Sequence, residues 1–140
     1  MITTIQRIGL NIHQWLYEKT DGRIGQSIGG RPMLLLRHVG AKTSKERTSA
    51  LLYVPDGDRY AVIASKGGDP KHPGWYHNLV AHPEVEIQIG RKTIPVRARV
   101  ADGEERERLW KRADEINKGG YTQYQSKTDR KIPVVVLEPR

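Results

Sequence analysis

Cysteine and phenylalanine are absent from this sequence, and methionine occurs only twice. Without cysteine there is no disulfide framework, no thiol nucleophile and no thiolate metal site. No apolar run approaches the ~20 residues a helix needs to cross a bilayer. The N-terminus lacks the basic, apolar and small-residue order of a secretory signal, so the expectation is an unexported, cytoplasmic chain. Acidic residues are in deficit: sixteen Asp and Glu face twenty-four Lys and Arg, a formal net charge of +8. An excess of that size points to an acidic partner, whether nucleic acid, anionic lipid, or a phosphorylated or carboxylated small molecule. At this length one core buries roughly 65–70% of the unfolded surface without help from a metal.

What is present divides into an amphipathic start and a strand-rich remainder. Ile2, Ile5, Ile8, Ile12, Trp15 and Leu16 recur at helical spacing, and Thr3 with Gln6 has capping-box spacing. Such a stripe suits a helix covering a core or one lying on a membrane surface. Residues 21–31 read as a loop. Residues 1–29 are therefore an amphipathic helix and loop, and residues 30–140 a separate barrel-forming unit.

Beyond Pro32 come six strand-like runs: 33–38, 48–54, 59–65, 85–89, 94–100 and 132–137. Asp56-Gly57-Asp58 and Gly90-Arg91-Lys92 supply tight turns between them. A helix is expected from Pro73 or Gly74, with Trp75, Leu79 and Val80 on one side. Another is expected from Asp102, capped by an Asp102–Glu105 box and stopped at Gly119-Gly120. The fold class is mainly β (α+β): a small six-stranded split antiparallel barrel with flanking helices.

Two basic connections carry the candidate chemistry. Lys42-Thr43-Ser44-Lys45-Glu46-Arg47 offers three cations and two hydroxyls. It leads into a strand, so it is no P-loop, and it reads equally as solvated charge or as an anion site. Ser65-Lys66-Gly67-Gly68 adds a hydroxyl, a cation and two flexible residues that leave backbone N–H groups free to face an anion. Trp75, just beyond, is either core or the wall of a cofactor pocket. Tyr121 and Tyr124 stand three apart after the glycine stop, where they pack on the barrel or offer a phenol to a bound molecule. His72, His77 and His82 are spaced by five, which spreads them around a helix with no carboxylate cluster beside them, so no metal site is expected. No serine sits in a nucleophile elbow.

Taken in order, Gly40-Ala41-Lys42-Thr43-Ser44 with Arg47, Ala64-Ser65-Lys66-Gly67-Gly68, Trp75-Tyr76-His77-Asn78-Leu79, and Tyr124 through Pro133 resemble the deazaflavin-dependent nitroreductases. These are small split-barrel proteins that use reduced coenzyme F420, a 5-deazaflavin with a phosphodiester and an oligoglutamate tail. The resemblance covers about residues 30–140. It implies a reductase that passes a hydride from F420 to a quinone or similar planar acceptor, with nitroaromatics as incidental substrates. By position it implies that Lys42, Thr43, Lys45 and Arg47 contact the tail and phosphate. Ser65, Lys66, Gly67 and Gly68 would contact the phosphate or its neighbours, and Trp75 would line the ring pocket. Tyr121 and Tyr124 would border the acceptor. This chain departs from the usual pattern at Ala41 and Ser44, where members carry Arg and Gly, and at Lys118, where some carry Tyr.

Two alternatives remain. A split barrel also hosts flavin mononucleotide (FMN), and some relatives bind a cofactor without catalysis. A single-stranded nucleic-acid binder would need aromatics spread over an open sheet, whereas here the tryptophans fall in expected helices, so no nucleic-acid partner is expected. A lipid-soluble quinone would suit peripheral membrane contact through residues 2–17.

Overall fold

The computed structural model describes Ser27–Ile28 and residues 31–140; the expected helix over residues 2–17 lies outside the described residues. Among the described residues eight strands form one antiparallel sheet that curls into a half-barrel. They are β1 (Ser27–Ile28), β2 (Arg31–Val39), β3 (Glu46–Leu52), β4 (Val54–Asp56), β5 (Arg59–Ile63), β6 (Glu84–Ile89), β7 (Lys92–Val100) and β8 (Val134–Pro139). The spatial order is β1-β2-β6-β7-β8-β5-β4, with β3 paired to the other side of β2. The six expected runs appear as β2, β3 with β4, β5, β6, β7 and β8. A break at Tyr53 separates β3 from β4, and β1 falls inside the segment expected to be a loop.

Burial explains why some runs alternate and others do not. On β8, Val135 and Leu137 face a cluster inside the half-barrel with Leu34, Leu36, Val62, Val85, Ile87 and Val96. Val134 and Val136 face the opposite way, into a second cluster with Ala61, Ile63, Leu109, Ala113 and Tyr121. Strands covered on both faces read as continuous apolar runs, while β6 and β7 keep one wet face and alternate. Each fully buried Leu or Val in these layers contributes about 2 kcal/mol of apolar transfer.

Among the described residues three α-helices flank the sheet: α1 (Gly74–Ala81), α2 (Gly103–Ile116) and α3 (Gly120–Ser126). Helix α1 starts where expected, with Pro73 at its N-cap. It buries Trp75, Asn78 and Leu79, but Val80 is 62% exposed, because one residue is a rotation of about 100° around the helix. The capping box at Asp102 does not form. Asp102 holds the N-cap position without a side-chain capping bond. Glu105 turns instead to Arg99, taking two hydrogen bonds of 2.5 and 2.8 Å, and Arg99 also reaches Glu138. A bidentate guanidinium on a carboxylate outcompetes a neutral cap bond. Helix α2 ends at Ile116 with Asn117 as its C-cap, short of the expected stop at Gly119-Gly120. Gly119, with φ of 81°, is the N-cap that admits the sharp re-entry into α3.

Candidate active site

The turn between β2 and β3 is a compact, internally bonded loop. Gly40 N–H donates to the Lys45 carbonyl and Ser44 N–H to the Gly40 carbonyl, both at 2.9 Å. Ser44 has φ of 57°; a left-handed residue is required at this corner, which is where the family pattern usually carries glycine. Thr43 Oγ1 accepts from Lys45 N–H at 3.3 Å, so its hydroxyl braces the turn.

This turn and α1 enclose a groove of about 590 Å3 lined by residues that include Lys42, Thr43, Arg47, Trp75 and Asn78. Lys42 and Arg47 are exposed and supply its positive charge. Trp75 is 9% exposed: most of its ring belongs to the inner core, and its remaining edge forms a wall of the groove. Trp75 is thus a core residue that also borders the groove. Lys45 does not line the groove; its backbone closes the turn.

The second basic connection is built differently. Lys66, Gly67 and Gly68 have φ of 47°, 63° and 82°, three left-handed residues in succession. Gly68 N–H is already bonded to the Ser65 carbonyl at 3.0 Å. A Cβ on Gly68 would lie 2.6 Å from the Tyr124 carbonyl oxygen, so α3 packs directly on this turn. Arg130 locks it from across the chain. Its guanidinium donates to the carbonyls of Asp69 (2.7 Å), Ala64 (3.1 Å) and Ser65 (2.5 Å), and to His72 Nδ1 (3.0 Å). Arg130 stood within the motif that carried the resemblance, but nothing in the linear pattern showed that its target was the turn at 65–68.

The tyrosines separate by environment. Tyr121 is 6% exposed within the outer core, its ring 6.2 Å from those of Trp110 and Tyr124. Burial, with Tyr124 next, pushes its phenol pKa above the ordinary value, so it stays protonated. Tyr124 is half-buried beside the second turn, with the Lys127 ammonium 5.8 Å from its ring centre. The rings meet edge to face. Tyr121 therefore orients Tyr124, which has the surface freedom that Tyr121 lacks.

His72 and His77 lie closer than a helical spacing of five implies, with ring centres 5.7 Å apart, because His72 precedes the helix. No group of three or more His, Cys, Asp or Glu able to hold a metal occurs among the described residues. Two residues lining the groove were not among the expected site residues. His38 and Asn78, 4% and 8% exposed, are hydrogen-bonded to each other at the floor of the groove. The signal for His38 was its place at the end of an apolar run, and that for Asn78 was its place in the 75–79 motif that carried the resemblance.

Comparison with known proteins agrees with this architecture. A solved F420-H2 dependent reductase (FDR-A) superposes with a TM-score of 0.71 at 50% identity, covering 77% of this chain and 95% of that one. A structure described as a domain-swapped dimer superposes at 0.74 with 42% identity, covering 97% and 100%. The fold is thus the split barrel of deazaflavin-dependent reductases. The model of the F420H(2)-dependent quinone reductases matches residues 10–139, and the chain belongs to that family. An F420H(2)-dependent quinone reductase of Mycobacterium tuberculosis H37Rv is 52% identical over 134 residues, 94% of this chain and 90% of the relative.

Proposed function

We propose that this protein is an F420H2-dependent reductase whose acceptor is a quinone. The observation that carries the reading is the convergence of Lys42, Arg47 and the edge of Trp75 on one groove. The donor set fits the coenzyme: exposed cations for a phosphodiester and a polyglutamate, and an apolar ring edge for a planar heterocycle. When bound, reduced F420 supplies the hydride, and the protein's part is to hold and orient.

Arg47 and Lys42 grip the anionic tail and phosphate, with exposed Lys45 extending the same field. Ser65 and Lys66 present a hydroxyl and a cation from the second turn, whose rigidity comes from Arg130 and from α3. Tyr124 hydrogen-bonds the acceptor oxygen, and its neighbour Tyr121 fixes the ring. Nitroaromatic reduction is an incidental activity of the same pocket. The enzyme works in the cytoplasm, and residues 2–17 bring it to the membrane surface where lipid-soluble quinones reside. Among the described residues no helix is long and apolar enough to cross a membrane.

A fluorescence titration of F420 against FMN, followed by oxidation of reduced F420 over a quinone series, tests the reading. Selective F420 binding with quinone-dependent turnover is expected. Preference for FMN, or F420 binding with no turnover on any quinone, overturns it.

A further inference from the structure

The floor of the groove contains a chain of four polar groups whose proton positions the geometry determines. Ala41 N–H donates to Asn78 Oδ1 at 2.9 Å, which identifies that atom as the amide oxygen. The other end of the amide is then the NH2, and it donates to His38 Nδ1, also at 2.9 Å. With Nδ1 accepting, a neutral imidazole carries its proton on Nε2, which donates to Ser49 Oγ at 2.9 Å. Reversing the amide would set its NH2 against the Ala41 N–H and its oxygen against an imidazole nitrogen. The backbone donor thus fixes every link in the chain.

We propose that Asn78 is a positioning residue for the anion-binding turn, holding His38 as its neutral Nε2–H tautomer while anchoring the turn through the Ala41 N–H. The proposal rests on the reading of this groove as the F420 site. Its physical basis is the register of the sheet. His38 lies directly across from Arg47 in the β2–β3 pairing. A charged His38 would face the Arg47 guanidinium across the ladder and break the bond from Asn78, which has only a donor to offer there. Burial, reinforced by Arg47, lowers the His38 pKa to about 4. On its far side His38 adjoins a cavity bounded by Arg37 of its own strand, Glu46 and Arg47 of β3, Glu84 and Glu86 of β6, and Arg140. The mixed charges there do not offset the burial. Helix α1 therefore sets the position of the turn that carries Lys42, and keeps a competing cation from developing beside Arg47.

Long-range 1H–15N spectra of the wild-type protein between pH 6 and 8 test the tautomer without any coenzyme. A bare Nδ1 and a protonated Nε2 on His38 are expected; a protonated Nδ1 overturns the proposal. Asn78→Asp keeps the acceptor for Ala41 N–H but replaces the donor to His38 by a charge that attracts a proton. The His38 pKa in that variant is expected to rise by about one to three units. Its F420 dissociation constant should rise about tenfold. That loss falls on coenzyme affinity more than on turnover at saturating coenzyme, a division that general loosening of the fold would not produce. F420 affinity within about twofold of wild type, measured at a pH below the His38 pKa of the variant, overturns the positioning role. Failure of the wild-type protein to bind F420 at all would instead overturn the assignment of the groove, and the tautomer result would stand.

Discussion

The two basic turns are alike in composition and opposite in construction. The turn at 40–45 is held by its own backbone bonds and by one side-chain amide from α1, and its Lys42 lines an open groove. The turn at 65–68 is held from elsewhere, by a guanidinium 61 to 66 positions away in sequence and by the backbone of α3. The first is an open basic surface resting on a light support. The second is a strained segment that the fold keeps in place. Damage to the second turn should therefore appear first as lost stability, and damage to the first as lost affinity.

The largest effect is expected from Arg130→Ala, which strips the hydrogen bonds from three carbonyls at once. About 4 kcal/mol of stability should be lost, read as a lower urea midpoint. An unchanged midpoint would show that the turn holds itself. Gly68→Ala should cost about 3 kcal/mol, combining left-handed strain with the clash on Tyr124, while Gly67→Ala, with open space around it, should cost about 1 kcal/mol. Equal losses at the two glycines would mean that α3 does not press on the turn.

His38 predicts a pH dependence for the first turn. Its folded pKa of about 4 lies below the ordinary 6.5, so the unfolded chain takes up the proton first. The stability linked to neutral His38 is complete above pH 6.5 and is lost as pH falls toward 4, in total about 2 kcal/mol after allowance for solvent screening. A His38→Gln variant should lose that component of the slope. The same slope in both proteins would refute the assignment.

The smallest effect on the fold, and the most specific for function, is expected from Arg47→Ala. F420 affinity should weaken about tenfold at low salt, and the urea midpoint should stay near wild type. Unchanged affinity would remove Arg47 from the site.

Much of the architecture was legible in linear form, because strand alternation and glycine placement are local consequences of the pleat and of backbone sterics. The runs at 85–89 and 94–100 alternate because β6 and β7 keep one face in water. Gly57 and Gly90 mark the hairpins because positive φ is inexpensive only for glycine. The Asp102–Glu105 box misled because capping spacing is local, while the Arg99 that captured Glu105 sits on a neighbouring strand. His38 and Asn78 were invisible as a pair because forty residues separate them.

The sequence by itself determined the charge excess, the strand-and-turn order and the two basic connections, all of which follow from composition and short-range periodicity. Only the tertiary structure decided which connection faces an open groove and which is clamped. It also decided which tyrosine is buried, and it put a neutral histidine opposite Arg47. Those outcomes depend on sheet register and on side chains that reach across the fold, and neither is written in any local window of residues.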